Sequence, residues 1–189
     1  MGYNTELWNS YTEENKEKSQ EELSKFIYHI SLGLNTKTIL EGGCNVGNNL
    51  SQFPTSANIT GIDLNEKAIE IAKSKFSTFN FKVSSLQEIP FPDSSFDIVF
   101  TRGVLIHIPK EDMAQVVKEL HRVSKKWIFN LEYFGEDGKM ISWKRGEDLL
   151  WYRDMKVWWK HFDVEIISET DIPEELDFGK TRFTLVRKK

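Results

Sequence analysis

The sequence predicts a single α/β domain with a mostly parallel seven-stranded sheet and helices on both faces. The 189 residues are enough for one domain with a full hydrophobic core. Short apolar strands alternate with amphipathic helices between residues 38 and 131, which is typical of parallel strands joined by right-handed crossovers. Two final strands, 164–168 and 182–187, are predicted to form an antiparallel pair at the edge of the sheet.

Each predicted element has a local signal. Apolar runs predict strands at 38–41, 59–63, 79–83, 96–100 and 127–131, besides the closing pair. Helices are predicted from the capping-box pair Ser19 and Glu22 to Gly33, over 46–53, after a cap at Asn65, after Pro109, and over 147–160. Residues 132–150 carry three glycines and several charges and are predicted to be mostly loop.

Composition excludes several classes of protein. Hydrophobic residues make up 39% and charged residues 29% of the chain, and no apolar run approaches the ~20 residues of a membrane span. The first residues lack the pattern of a secretory signal, so we expect a cytoplasmic protein. A net charge of −4 argues against a large nonspecific nucleic-acid surface. The single cysteine, Cys44, excludes an internal disulfide and a cysteine-cluster metal site, and no metal site is predicted.

The most informative stretch is the glycine-rich turn that follows the first strand. It reads Glu-Gly-Gly-Cys-Asn-Val-Gly over residues 41–47. Gly43 and Gly47 allow the backbone to approach a ligand closely, and free amides at the start of the following helix can bind its polar groups. Asp63 ends the next strand, where a carboxylate suits two hydrogen bonds to a ribose diol. Together these features predict a cofactor of the adenosine type.

The spacing of the turn bears on which cofactor binds. If Gly43 is the first glycine of a dinucleotide-binding G-x-G-x-x-G turn, Asn48 occupies the third position, where a glycine is needed for close helix–strand packing. No Walker lysine follows, which excludes a P-loop. The remaining pattern, E-x-G-x-N-x-G, resembles the E/D-x-G-x-G-x-G turn of class I S-adenosylmethionine-dependent methyltransferases. Residues 84–91 and 93–99 are similar to the third and fourth motifs of that family, so the resemblance covers residues 38–132.

The resemblance implies a Rossmann-like methyltransferase domain that uses S-adenosylmethionine as its cofactor. It places Glu41 near the methionine end, the two turn glycines beneath the cofactor, Asp63 at the ribose and Leu64 on the adenine. Ser85 stands where the family usually has an aspartate that accepts from the adenine amino group, and Asn45 stands where it has a glycine. The predicted cofactor-binding residues are Tyr11, Glu41, Gly43, Asn45, Gly47, Asp63, Leu64, Ser85, Leu86 and Arg102.

Three residues near strand ends are candidates for the chemistry. His107 lies beyond the fourth strand, at the edge where open α/β sheets place their ligands, and an imidazole with a pKa near 6.5 could accept a proton. It could equally pack beneath the sheet. Tyr133 could supply a hydroxyl near the methyl group or simply pack. Arg102 could pair with a carboxylate of the cofactor or acceptor, or form a surface ion pair.

Aromatic residues cluster in two further places. Trp8 and Tyr11 lie in a polar N-terminal segment and could either close over the cofactor or pin that segment to the domain. Four of the six tryptophans fall within residues 143–159, where we predict core packing with a partial lid, a dimer face being the alternative. The predicted layout is an N-terminal helical cap (1–33), a cofactor-binding core (38–132), and an acceptor-side insert with the closing strands (133–189).

A narrower resemblance concerns the acceptor. Residues 100–108, 130–134 and 144–154 resemble methylases encoded beside pseudaminic-acid and related sugar pathways, which implies a sugar or nucleotide-sugar of surface polysaccharide biosynthesis. No N/D-P-P-Y sequence, which nucleic-acid amino-methylating enzymes of this superfamily usually show, follows the fourth strand, and the Pro-Cys nucleophile used for methylation of a pyrimidine carbon is absent. We therefore predict a small-molecule acceptor, no nucleic-acid or membrane partner, and a monomer or homodimer.

Two other classes of function remain compatible with the sequence. An NAD-dependent oxidoreductase would share the glycine-rich turn and Asp63, although the missing third glycine counts against it. A catalytically silent protein that binds the cofactor and regulates another enzyme would share all of these features.

Overall fold

One mixed sheet organises the chain. The computed structural model describes residues 4–18, 21–176 and 180–189. Seven strands lie in these ranges: β1 (Thr38–Gly42), β2 (Asn58–Asp63), β3 (Asn80–Val83), β4 (Phe96–Arg102), β5 (Ser124–Tyr133), β6 (Val164–Asp171) and β7 (Thr181–Lys188). Their order across the sheet is β3-β2-β1-β4-β5-β7-β6.

The pairing confirms the predicted fold class. Strands β1 to β5 pair in parallel, while β7 pairs antiparallel with both β5 and β6. The carboxyl ends of the parallel strands therefore meet at one edge of the sheet, and the order reverses between β1 and β4. In open α/β sheets a crevice forms at such a reversal.

The helices are α1 (Thr5–Asn15), α2 (Glu21–Gly33), α3 (Glu66–Lys75), α4 (Lys110–Val123) and α5 (Met155–Trp159). Two caps are as predicted: the Asn65 side chain accepts from the amide of Lys67, and Pro109 directly precedes α4. Ser19, the predicted cap of α2, lies outside the described residues. No helix in the described part of the chain is long and apolar enough to span a bilayer.

The predicted helix over residues 46–53 is wrong. That segment holds only a single 3-10 turn, Asn48–Leu50, preceded by Gly47 in the left-handed conformation. The side-chain amide of Asn48 donates to the carbonyls of Asn15 (3.1 Å) and Lys18 (2.9 Å). Asparagine favours such side-chain bonding over a helix interior, so tertiary contacts override a weak helical signal.

The predicted helix over residues 147–160 is also too long, because only α5 is helical. Before α5 the chain forms an extended loop, with isolated bridges joining Met140 to Trp151 and Trp143 to Gly146. Asp148 has a φ of 53°, which interrupts a helix, and Asp154 then caps α5 by accepting from the amide of Lys156. The aromatic residues of this segment therefore pack against the rest of the domain and do not form one face of a long helix.

The sheet has a core on each face, as expected for strands covered on both sides. On one face Leu23 and Ile27 of α2 pack in a buried cluster that includes Phe100 and Phe129, whose rings stack at 4.8 Å. On the other face α4 and α5 cover the sheet, and their buried residues include Met113, Val116, Val117, Leu120, Met155 and Trp159. This leaves the carboxyl edge of the parallel strands open for a site.

Candidate active site

A cavity of about 1030 Å³ lies at the carboxyl edge of the parallel strands. Its walls come from α1, the glycine-rich turn, the ends of β2, β4 and β5, and the loop before α5. The predicted site residues that line it are Tyr11, Gly43, Asn45, Asp63, Leu64, Ser85, Leu86, Arg102, His107 and Tyr133. Among the described residues, no group of three or more His, Cys, Asp or Glu is arranged to hold a metal ion.

The glycine-rich turn is shaped by Gly43. The amides of Gly43 and Cys44 both donate to the carbonyl of Ile62, which ties the turn to β2. Gly43 has a φ of 71°, and a Cβ there would come within 2.3 Å of the Val104 side chain. Only glycine therefore fits without displacing the neighbouring wall of the cavity.

Gly47 does not reach the cavity, contrary to its predicted place beneath the cofactor. It is not a lining residue, and a Cβ on it would meet the ring of Phe76 at 3.1 Å. Its φ of 78° and its close approach to Phe76 give it a packing role at the far side of the turn.

Asp63 accepts hydrogen bonds from two segments of the predicted cofactor site, the glycine-rich turn and the start of α3. Its Oδ2 accepts from the backbone amide of Asn45 and its Oδ1 from that of Asn65, both at 2.8 Å. Burial raises the pKa of Asp63, while these amides lower it. The amide of Leu64 also bonds this carboxylate, and because an ionised carboxylate accepts about four hydrogen bonds, acceptor capacity remains for a ribose hydroxyl.

Glu41 has no exposed surface and does not line the cavity, although the resemblance places it at the methionine end. Its Oε1 accepts from the side-chain amide of Asn49 at 2.6 Å, and no partner is recorded for the buried Oε2. Burial raises the pKa of Glu41 to about 8, against the opposing effect of the nearby Arg102 charge. Glu41 is therefore a protonated or partly protonated acid at neutral pH.

The predicted adenine contacts line the cavity together. Ser85 Oγ accepts from the amide of Gln87 at 3.0 Å, which leaves a second lone pair for an amino group. Leu86 is buried beside it, and the Leu64 side chain is 45% exposed at the cavity wall. The apolar side chain of Leu64 can pack on the face of an adenine ring, and Ser85 can hydrogen-bond to the polar atoms at its edge.

His107 is fixed as a neutral imidazole. Its Nδ1 lies 2.6 Å from the carbonyl of Leu149, so Nδ1 carries the proton and Nε2 keeps its lone pair. Burial, helped by the Arg153 charge and opposed by the hydrogen bond to Leu149, lowers the pKa of His107 to about 4. The ordinary value of 6.5 expected from sequence is therefore wrong, but the unprotonated form that can accept a proton dominates at neutral pH.

Aromatic rings form one wall around His107. The ring centroids of Trp8 and Trp143 lie 4.9 and 5.1 Å from the imidazole, and Tyr11 lies 6.1 Å from Trp143. Arg145 stacks over the ring of Tyr11 at 5.3 Å and pairs with Glu14, which fastens α1 to the loop. We call Trp8, Tyr11, His107 and Trp143 the aromatic wall.

The four clustered tryptophans divide between lid and core. Trp143 and Trp151 line the cavity. Trp159 is completely buried and donates to the Asn130 side chain at 2.8 Å, and Trp158 donates to Asp137 at 3.0 Å. The burial of Trp159 fits the predicted core packing, and a lid formed by the cavity-lining Trp143 and Trp151 stays a prediction.

Thr12 is a site residue that the sequence reasoning missed. Its hydroxyl donates to Asn45 Oδ1 at 3.1 Å and accepts from the side-chain amide of Asn65 at 3.0 Å, while the residue is 2% exposed. It thus connects α1 to both residues whose amides bind Asp63. The i, i+4, i+7 spacing of Trp8, Thr12 and Asn15, all of which line the cavity, is the signal that could have located this helix face.

Comparisons with known proteins agree with this site. Residues 40–127 match the family described as a methyltransferase domain. The chain is 31% identical over 104 residues to an uncharacterized methyltransferase of Schizosaccharomyces pombe, covering 48% of this chain and 37% of that protein. It is 32% identical over 97 residues to a sterol 24-C-methyltransferase of Pneumocystis carinii, covering 47% and 25%. The chain therefore spans well under half the length of these two relatives.

Two solved structures share the fold. A 1,6-didemethyltoxoflavin-N1-methyltransferase of Burkholderia thailandensis, with bound S-adenosylhomocysteine, superposes with a TM-score of 0.76 at 13% identity, covering 97% of this chain and 84% of that one. A magnesium protoporphyrin IX methyltransferase of Synechocystis, also with bound S-adenosylhomocysteine, gives 0.69 at 16% identity, covering 90% and 83%.

Residues 40–127, the part of the chain that matches the methyltransferase-domain family, contain the glycine-rich turn and Asp63, and the fold is shared with solved methyltransferases. A second structure of the Synechocystis enzyme contains S-adenosylmethionine itself. This favours the methyltransferase class over the dinucleotide-dependent oxidoreductase that the sequence left open.

Proposed function

We propose that this protein transfers the methyl group of S-adenosylmethionine to a small-molecule acceptor bound against the aromatic wall. The observation that carries the proposal is one continuous cavity that holds Asp63 at the cofactor side and His107 at the other. Its volume of about 1030 Å³ is at the upper end of ordinary ligand sites, which span ~300–1,000 Å³, so it suits two ligands held side by side.

The residues present fit S-adenosylmethionine. Asp63 retains acceptor capacity for a ribose hydroxyl, and Gly43 keeps the turn free of a side chain that would collide with Val104 at the cavity wall. Leu64 and Ser85 supply an apolar face and an acceptor for the base, and Tyr11 lies above them on α1. When bound, the cofactor supplies an electrophilic methyl group on a positively charged sulfur.

His107 then acts on the acceptor. Its Nε2 lone pair accepts the proton that a hydroxyl or protonated amine must lose, while the Leu149 carbonyl holds the Nδ1 proton in place. A neutral imidazole with a low pKa is a weak base, so most of the rate enhancement comes from holding acceptor and methyl group in line. Tyr133, at the end of β5, lines the same cavity, and we propose that its hydroxyl contributes to this orientation.

The finer proposal is that the acceptor is a sugar or nucleotide-sugar of surface polysaccharide biosynthesis. Its support is the resemblance of residues 100–108, 130–134 and 144–154 to methylases of such pathways, together with the flat faces of Trp8 and Trp143, which suit the apolar faces of sugar rings. A cytoplasmic location and a monomer or homodimer remain predictions alongside it.

A labelling experiment tests the proposal. The protein is incubated with methyl-tritiated S-adenosylmethionine and fractions of a cell extract, and labelled products are separated by size and charge. We expect label in a small molecule, and less of it with the Asp63→Ala variant when the labelled cofactor is below saturation. Binding of S-adenosylhomocysteine without label in any fraction would instead favour a catalytically silent cofactor-binding protein, and label in nucleic acid would contradict the proposed acceptor.

A further inference from the structure

The turn that carries His107 is held by charged groups buried beneath it. Residues 105–107 form a single 3-10 turn directly after β4. Arg153, only 1% exposed, donates from Nε to the carbonyl of Leu105 at 2.9 Å and from Nη2 to the carbonyl of Ile108. One guanidinium therefore bonds the carbonyls at both ends of the turn.

Glu132 bonds the same turn from β5. It is 1% exposed, and its Oε2 accepts from the amide of Ile106 at 3.4 Å. Burial outweighs the lowering effects of the hydrogen bonds from Thr101 and the turn amides and of the Arg153 charge, so the pKa of Glu132 is raised to about 7. Arg153 thus donates to carbonyls of this turn, and Glu132 accepts from one of its amides.

The segment around Arg153 makes further bonds to this region. The amide of Arg153 donates to the carbonyl of Tyr133, and the amide of Trp151 donates to the carbonyl of Ile106, both at 2.8 Å. The carbonyl of Leu149 binds His107 Nδ1. Arg153 therefore lies where β5, the His107 turn and the loop before α5 converge.

Burying two ionisable side chains is costly, and apolar residues of similar volume often hold a fold at least as well. Stability alone therefore gives a weak account of this pair. Glu132 also bonds the Thr101 side chain and Arg153 Nη1 donates to the carbonyl of Tyr152, but both side chains contact the backbone of one turn, whose third residue is His107.

We propose that Arg153 and Glu132 are positioning residues that fix the His107 turn, and thereby keep the imidazole in the Nδ1-protonated form with Nε2 facing the acceptor. This inference rests on the proposed function of His107. Neither residue is among those that line the cavity, so both act through His107.

The test compares Arg153→Met with Arg122→Met in protein saturated with S-adenosylhomocysteine. Arg122 is a matched control, because it donates to the carbonyls of Ile89 and Phe91 at 2.8 Å, in a part of the fold away from the cavity. Two signals are read by nuclear magnetic resonance: the ring-nitrogen shifts of His107, which report tautomer and pKa, and the exchange rates of the Ile106 and Ile108 amides.

In Arg153→Met we expect at least tenfold faster exchange of these amides and a His107 pKa raised toward its ordinary value, since a nearby cation is lost. Affinity for S-adenosylhomocysteine should stay within twofold of wild type, and Arg122→Met should leave both His107 signals unchanged. Arg153→Lys, which keeps the cation but cannot span both carbonyls, should show the faster exchange with a smaller pKa change. It serves as the test if the methionine variant does not fold.

Wild-type exchange rates and His107 shifts in a folded Arg153 variant would overturn the proposal. Its failure is distinguishable from failure of the proposed function. If the Arg153 variant perturbs His107 but His107→Ala still labels the acceptor at the wild-type rate, positioning stands and proton acceptance by His107 is wrong.

Discussion

The backbone amide of Asn45 donates to the Asp63 carboxylate over 2.8 Å, which locks the glycine-rich turn to the end of β2. Asn45 has a φ of 46°, a left-handed conformation that asparagine tolerates better than most residues. Thr12 accepts from Asn65 and donates to Asn45, so α1 reinforces the same arrangement. The cofactor side of the cavity is therefore organised by contacts within the protein itself.

Replacing Asp63 by alanine should weaken binding of S-adenosylhomocysteine by about 1–3 kcal/mol, because the ribose hydroxyls lose their acceptor and the amide of Asn45 loses its partner. Titration calorimetry measures this directly. Asp97→Ala is the matched control, since Asp97 accepts from the amides of Lys37 and Thr38 at the opposite end of the sheet. That variant should lose stability and keep its affinity; equal affinity in both variants would remove Asp63 from the site.

Gly43→Ala should destabilise the protein more than Gly103→Ala. Both glycines have positive φ values, 71° and 60°, so each alanine has a left-handed strain of roughly 1–2 kcal/mol. Only at Gly43 does the new Cβ also collide with Val104, whereas nothing lies within 4 Å at Gly103. Overpacking adds about 1–3 kcal/mol, measurable by urea denaturation. Equal losses would show that the turn has room to relax.

Glu41→Gln should change how stability depends on pH. The folded pKa of Glu41 is raised to about 8 from an ordinary 4.5, so its contribution to stability is fully present below pH 4.5 and is lost as pH rises to about 8. The free energy of unfolding of the wild type, relative to the variant, should therefore fall by on the order of a few kcal/mol between pH 5 and 8.

Glu119→Gln should change the pH dependence of the free energy of unfolding in the opposite direction. Its pKa is lowered by the hydrogen bonds from Arg122, so its contribution is present above the ordinary pKa and is lost at acid pH. Parallel pH profiles for the two variants would contradict the raised pKa of Glu41.

Thr12→Val should loosen α1 without altering the shape of the site, because valine matches threonine in size but makes neither of its two hydrogen bonds. We expect amide exchange in α1 to accelerate several-fold, since each lost bond costs roughly 0.5–1.5 kcal/mol. Ser10→Ala on the exposed side of α1 is the control and should leave exchange unchanged. Unaltered amide exchange in Thr12→Val would show that the aromatic contacts and the Glu14–Arg145 pair are sufficient to hold α1 without the Thr12 hydrogen bonds.

Strands β1, β2, β4 and β5 were predictable because their apolar runs are buried. Asn65 and Pro109 begin helices through bonding that is local in sequence. The helices predicted over 46–53 and 147–160 were wrong, because the side chains there make tertiary contacts that a local pattern does not reveal. The bonds from Asn48 to the carbonyls of Asn15 and Lys18 are an example.

The candidate site was also predictable from the sequence only in part. Gly43, Asp63 and His107 follow strand ends, so their meeting at one edge of the sheet could be inferred. Thr12 and Arg153 act on residues 33 and 48 positions away, at Asn45 and Leu105 respectively, and no local pattern marks such contacts. The lowered pKa of His107 likewise depends on burial that only the folded chain creates.

The most direct test of the account is a crystal structure of the complex with S-adenosylhomocysteine. We predict that its ribose hydroxyls lie within about 2.6–3.2 Å of the Asp63 carboxylate, with the base between Leu64 and Ser85 and the sulfur facing the aromatic wall. A nucleoside bound elsewhere, or one that makes no contact with Asp63, would contradict the central claim.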